Sequence, residues 1–516
     1  MNQKIAPSRM NPRHLRRAAL LLLLATIPLQ IFGAEKKMRE ATVAGSFYPA
    51  DPAQLTSMMD AMLGEVKQPV IKEKILAAVA PHAGYIYSGP VAAYTFAALR
   101  GHSYRRIVVI APSHHVGFDF TSVYDGDAYS TPLGAIPVDK DFARRLVRFS
   151  KHGAKIELSG MGHTPTASGG EHALEVQLPW LQRTVGSFEL VPIIMGDQSY
   201  EASRSLGVAL AKLITEEKKN GETGETLVLA SSDLSHYHPY TDAVALDHKT
   251  LAALTAWDYY SMSRNFQTRL WEACGGAPIV AAMIYSERMG ARQAELLKYA
   301  NSGDTAGDKE RVVGYGSAVF VQSAQSATPE NHFSLTSEEK KELLTIARKS
   351  VEQAVGPGLT YTPVTPTSDT LNREYGAFVT LTVKGQLRGC IGFTAAVKPL
   401  FLTVRDTATY AALRDPRFHP VVAEELPEIA YEVSVLSPLR RVMEPEEIEV
   451  GRDGLLMKNG GYEGLLLPQV PTEQGWNRQT FLEQTCVKAG MTKDCWKSDD
   501  TDIFRFTAVV FNERKQ

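Results

Sequence analysis

Five side chains in this sequence have the chemistry to hold a metal or move a proton, and each belongs to a short, distinctive motif. His82 lies in Ala80-Pro81-His82-Ala83-Gly84-Tyr85, and His114 in Ala111-Pro112-Ser113-His114-His115. Asp233 and His236 lie in Ser231-Ser232-Asp233-Leu234-Ser235-His236, and Cys274 opens Cys274-Gly275-Gly276-Ala277-Pro278. Imidazole suits iron, copper and zinc, and a thiolate adds affinity for softer metals. His82, His114 and Cys274 are therefore the candidate metal ligands. Taken singly, each reads more simply as a turn histidine or a small buried cysteine. The recurrence of one design favours a shared metal site. Asp233 and His236 are further ligands or an acid/base pair, with an Asx turn beside a surface histidine as the plain alternative. Glu171 offers a carboxylate behind a ligand or a general base, and equally a favourable charge in a helix first turn. His172 shares that pair, and His115, His163 and His238 receive no role.

The elements that must carry these residues can be read from the runs before them. Ile75–Ala80, Ile107–Ala111 and Thr226–Ser231 are continuous aliphatic runs, the pattern of strands buried on both faces. Proline ends the first two, because it cannot supply a ladder donor. In open α/β sheets, sites form outside the carboxyl ends of the strands, so the three motifs should converge. Helices are expected over Asp51–Leu63, Gly89–Leu99 and Asp139–Phe149, with others opening at Glu171 and at Cys274. A cysteine at a helix start should have a lowered pKa and an exposed sulfur. Further strands are expected at 122–125, 135–139, 189–195 and 312–321. Strands alternating with helices predict an α/β sandwich with a mainly parallel sheet.

A chain of 516 residues exceeds one ordinary core, so two or more domains are expected. A content of 44% apolar and 22% charged residues is that of a globular protein rather than a disordered one. A net charge of −2 gives no electrostatic reason to expect a nucleic-acid partner. Four cysteines exclude a disulfide scaffold. Arg13, Arg16 and Arg17 precede an apolar run too short to span a bilayer comfortably, so residues 1–34 read as a signal peptide. The expected location is outside the cytoplasm, in the periplasm, with no mature transmembrane helix. A start mis-assigned upstream of Met38 would leave the protein cytoplasmic.

The first domain is expected over 39–322, a Ser/Ala/Thr/Pro linker over 323–332 and a second domain over 333–516. The second domain reads as α+β with an antiparallel sheet, and its first helix is expected from Ser337, where Lys340 breaks a capping box. There, Arg388-Gly389-Cys390-Ile391-Gly392 places a cysteine beside a guanidinium, so Cys390 is either an activated thiolate or a buried residue at a bend. Arg388, Arg414 and Arg417 are candidate anion or cofactor contacts, Arg414-Asp415-Pro416-Arg417-Phe418 being a turn able to hold an anion bidentately, with a solvated salt-bridged turn as the plain alternative. Cys486 and Cys495 would pair only in an oxidising compartment, and spacing alone does not establish it.

Residues 39–321 resemble the Memo family. The motifs quoted above carry the resemblance, together with Ala44-Gly45-Ser46-Phe47-Tyr48 and Glu171-His172-Ala173-Leu174-Glu175. Residues 333–513 resemble the AMMECR domain family, through Leu387–Gly392, Arg414–Phe418, Leu467–Val470 and Glu473–Trp476. The first resemblance implies a fold like that of class III extradiol dioxygenases. It also implies an iron or copper ion on His82, His114 and Cys274, with Asp233 and His236 beside it. Cysteine where those enzymes use a carboxylate points to metal-linked redox chemistry on a small-molecule substrate rather than ring cleavage. The same ligands would also serve a non-catalytic metal-sequestering or scaffold protein. Fusion of the two domains resembles the AmmeMemoRadiSam system, which implies a radical SAM protein as partner. Radical SAM chemistry belongs in the reducing cytosol, so that partner and an export signal pull in opposite directions.

Overall fold

The central strands show why their sequences are apolar without interruption. Along Arg106–Pro112, Val108 and Ile110 face one core while Ile107, Val109 and Ala111 face another. Thr226–Ser231 divides likewise, Val228 and Ala230 from Leu227 and Leu229. Period-two alternation with both faces covered produces a continuous apolar run. The computed structural model describes residues 1, 37–67, 71–150, 154–166, 169–291, 293–322, 333–394 and 398–513. Residues Lys37–Gln516 form one compact unit. The expected signal peptide and linker lie outside the described residues.

In the first domain, the strands Lys74–Ala80, Thr226–Ser231, Arg106–Pro112 and Glu189–Met195 are parallel neighbours in that order. The flanks turn antiparallel. Val312–Gln322 pairs with Lys74–Ala80 on one side and Thr121–Val123 with Glu189–Met195 on the other. The helices Pro52–Gly64, Tyr85–Ala98 and Gln177–Thr184 cover one face. Tyr200–Lys219, Tyr259–Gln267 and Gly276–Arg288 cover the other.

Three helix starts differ from expectation. The helix expected at Glu171 begins at Gln177. Pro179 has no N–H to give the Glu175 carbonyl, and the Ala173 N–H is taken by the Glu171 carboxylate at 2.9 Å, so residues 173–176 remain turns. The helix expected from Gly89 begins at Tyr85, whose N–H donates to the Phe47 carbonyl at 2.8 Å. The helix expected to open at Cys274 begins two residues later, at Gly276. The helix expected from Ser337 does begin there, but Thr336 caps it and forms a reciprocal capping box with Glu339.

The second domain is a seven-stranded antiparallel sheet, with Ala377–Val383 between Gln386–Phe393 and Ile429–Leu436, and Asp502–Asn512 joining these to Asp453–Asn459. Ser337–Val355 and Leu400–Leu413 pack with it around one core, and Arg478–Lys488 contributes to another. Cys486 and Cys495 form a disulfide across nine residues. The two domains share a core, since Leu456 and Phe504 pack with Tyr259, Tyr260 and Met283. Asp502 is buried at this joint and accepts from the Tyr200 hydroxyl at 2.8 Å and Arg204 Nε at 2.5 Å. Those bonds and the nearby Arg441 hold its carboxyl below the usual range against the effect of burial.

Candidate metal centre

The histidines at the strand ends are oriented from behind. Ser231, the last residue of its strand, gives its hydroxyl hydrogen to the Ala173 carbonyl at 2.5 Å. It must therefore accept from His82 Nδ1, 2.9 Å away, which leaves His82 Nε2 as a bare lone pair. His114 Nδ1 lies 3.0 Å from Glu171 Oε1, and the His114 backbone N–H donates to Glu171 Oε2 at 2.6 Å. Burial would raise the Glu171 carboxyl, but the hydrogen bonds from His114 and Ala173 outweigh it and bring it down to about 2. An ionised Glu171 makes His114 Nδ1 the donor, so Nε2 is the ring nitrogen left for the cluster. Burial first, then the neighbouring histidine, holds His82 well below its ordinary pKa, and so in its ligating, neutral form.

His172 completes the cluster. Ligand atoms of His82, His114 and His172 all lie within 4.8 Å of one another. The His172 ring stacks on His114 at 4.8 Å between centroids and lies 4.6 Å from Phe47. Burial brings its pKa down to about 3. Three residues on, Glu175 is buried and accepts from Arg39, from the Tyr48 hydroxyl at 2.6 Å and from the Thr42 and Val43 N–H groups at 2.9 and 3.0 Å. Sequence reasoning put only the Glu171-His172 pair near the site; the adjacent carboxylate was the available signal for His172 itself.

Cys274 Sγ stands 3.1 Å from His82 Nε2 and accepts the Asp233 N–H at 3.3 Å. Gly275 after it has no room for a side chain, since a Cβ there would meet the Ser231 carbonyl at 2.1 Å. That close approach brings the thiol to the strand end. The helix start was expected to lower the thiol pKa. Burial and then the Asp233 carboxylate raise it instead. A bound cation reverses this balance, because a coordinating thiol is deprotonated.

Asp233 Oδ1 accepts the His82 N–H at 2.7 Å, and burial pushes its carboxyl up to about 6. It does not hold the His236 ring: His236 Nδ1 bonds to the Leu234 carbonyl at 2.9 Å. Glu272 accepts the His236 backbone N–H at 3.2 Å and lies 3.0 Å from His238 Nε2. Between these two histidines, Tyr237 has φ of 62° and is 61% exposed.

The second-domain candidates are arranged differently. Arg388 is bidentate to Glu425 at 2.7 and 2.8 Å. Arg417 is bound to Asp415 at 2.9 and 2.6 Å, and Asp415 also accepts the Cys390 N–H at 2.8 Å. Arg414 stacks on the Tyr410 ring at 4.8 Å. The bidentate anion site expected of Arg414 and Arg417 is not formed, because Asp415, inside the same turn, already fills the Arg417 fork. Cys390 Sγ accepts from the Thr380 hydroxyl at 3.2 Å, and Gly389 admits the Ala411 carbonyl within 2.1 Å of where a Cβ would stand.

The donor set fits a metal ion: bare imidazole nitrogens and a thiol face one another, backed by a hydroxyl and a carboxylate. Fold and site thus define an α/β sandwich with a histidine-rich cluster at the carboxyl ends of its parallel strands. Residues 39–319 match the Memo family, described as Memo-like protein, and residues 344–511 match AMMECR1. The chain belongs to the Memo family and carries a C-terminal AMMECR1 domain. It is 38% identical over 292 residues to a MEMO1 family protein of Methanopyrus kandleri, covering 55% of this chain and 98% of that one. It is 49% identical over 181 residues to a protein of Thermococcus kodakarensis, covering 33% of this chain and 88% of that one. The crystal structure of an uncharacterized protein from Pyrococcus horikoshii is 41% identical, covers 35% of this chain and 94% of its own, and superposes with a TM-score of 0.34.

Proposed function

We propose that the first domain holds one iron or copper ion and performs redox or dioxygenase-like chemistry on a small molecule. The observation that carries this reading is the pair of His82 and His114 rings, each fixed by a partner on Nδ1 and gathered with His172. His82, His114 and Cys274 would hold the metal, with His172 as a further donor. The ion would supply a redox centre and a Lewis acid. Around it, Ser231 and Glu171 fix which imidazole nitrogen is free, and Asp233 ties the His82 turn to the thiol. His236, its Nδ1 hydrogen given to Leu234, presents Nε2 as a proton acceptor.

A second reading follows from the count of donors. His82, His114, His172 and Cys274 together would fill a tetrahedral sphere, as in a sequestering or scaffold protein with no turnover. Metal analysis of anaerobically purified protein, with Cys274→Ser and His172→Ala, tests both. Loss of soft-metal affinity in Cys274→Ser with His172→Ala unaffected supports the open, reactive set. Equal loss in both supports the closed set. Full occupancy in a His82→Ala, His114→Ala variant would sink either.

The two fused domains support a role in an AmmeMemoRadiSam-type pathway beside a radical SAM protein. The Cys486–Cys495 disulfide supports export to an oxidising compartment, which opposes that partner. Co-purification from the native cell, with the mature start read by mass spectrometry, decides between them. Among the described residues, no helix is long and apolar enough to cross a membrane.

A further inference from the structure

The loop between the helices Tyr259–Gln267 and Gly276–Arg288 reaches three neighbours within four residues. Trp271 is buried, and its Nε1 donates at 3.1 Å to Glu374 Oε2, a second-domain carboxylate. Glu272 holds the His236 N–H and His238. Cys274 places its sulfur 3.1 Å from His82 Nε2, while its carbonyl accepts from Gln198 Nε2 at 3.0 Å. The loop is not free to settle elsewhere at no cost. Arg269 has φ of 58°, a conformation that surrounding contacts must sustain, and Gly275 is wedged against Ser231.

Glu374 is itself well anchored. Its other oxygen accepts from Lys249 Nζ at 2.6 Å, its side chain is 11% exposed, and its backbone bridges to Pro399. Beside this contact a cleft of about 720 Å³ separates the domains, lined by Lys249, Trp271, Asn372, Glu374 and Tyr375. At this edge of the joint the polar link between the domains runs through the Glu374 carboxylate.

We propose that the second domain positions the metal-side loop of the first. Glu374 is a positioning residue that holds Trp271, and through it fixes Glu272 against His236 and Cys274 against His82. This rests on the metal-site reading for its functional meaning, but the mechanical link is tested without metal.

The full chain is prepared metal-free as wild type, Glu374→Ala, Glu374→Gln and Trp271→Phe. Alkylation of Cys274 by iodoacetamide is followed by peptide mass mapping, with Cys390 as the internal reference, and hydrogen exchange is followed across residues 268–275. Loss of one charge-assisted hydrogen bond should speed Cys274 alkylation about tenfold in Glu374→Ala. Cys390 should be unchanged, and exchange should rise in the loop. Glu374→Gln keeps an acceptor for Trp271 and should restore the wild-type rate. Trp271→Phe keeps an aromatic ring but loses the donor and should match Glu374→Ala, which decides the matter if the alanine variant does not fold. Unchanged Cys274 rates in Trp271→Phe, or equal acceleration at both cysteines, overturn the proposal. Cobalt(II) added to the same proteins reports separately. Absence of a thiolate-to-cobalt band in the wild type defeats the metal reading, and the alkylation result still decides the link.

Discussion

The surroundings of Cys274 and of Cys390 contain similar residue types and reach opposite results. Around Cys390 two guanidiniums are each met by a carboxylate: Arg388 by Glu425, Arg417 by Asp415. Arg414 rests on Tyr410. Around Cys274 the pairing runs the other way. Carboxylate and hydroxyl groups stand behind the imidazoles, and the ligating nitrogens face inward with no protein donor but a thiol. The two aspartates follow suit. Burial pushes Asp233 up to about 6, whereas the hydrogen bonds from Arg417 first hold Asp415 well below the usual carboxylate range. Charges that satisfy one another build a rigid turn. Lone pairs gathered without partners build a site, because leaving them unmet is costly unless something binds.

The largest expected effect would break this contrast outright. His82→Ala with His114→Ala should lower iron or copper affinity at least ~1000-fold by competition against a chelator, since two of the ligands disappear. A smaller change in affinity would mean that the cluster is not the metal site. Reduction of Cys486–Cys495 should cost the second domain roughly 2–3 kcal/mol, the value for a loop of this length, read as a fall in its urea midpoint. The first-domain metal affinity should not move.

Asp415→Asn should destabilise the second domain by about 1.5 kcal/mol at pH 7 through weaker hydrogen bonds. The folded pKa of Asp415 is depressed from 3.8, so its stabilisation is present above that value and is lost as pH falls further. Urea midpoints of wild type and variant should therefore converge below about pH 3.8. A gap that widens on acidification would contradict the pairing. Smallest of all, Cys390→Ser should leave metal content unchanged and alter stability by under about 0.5 kcal/mol. Loss of metal in that variant would erase the distinction between the two cysteines.

Much of the architecture was legible because it depends on local pattern. Aliphatic runs such as Glu189–Met195 and Thr226–Ser231 gave strands with those bounds, since a strand covered on both faces has no polar position to confuse its period. The Glu171 segment was misread because helical composition does not reveal that side chains will take the backbone donors. The capping box at Thr336 was missed by one residue, although Thr336 and Glu339 have the required types and spacing. The motifs at His82, His114, Asp233 and Cys274 were visible as residue types released at element ends.

By itself, then, the sequence determined the elements, the two families and which ends carry ligating atoms, because period and motif are written in neighbouring residues. Only the tertiary structure decided that His172 joins the cluster and that burial raises the Cys274 thiol. It also decided that Arg388 is already paired and that Glu374 of one domain grips Trp271 of the other. Each of these depends on desolvation or on a contact between residues up to 103 positions apart, and no local stretch of chain contains that information.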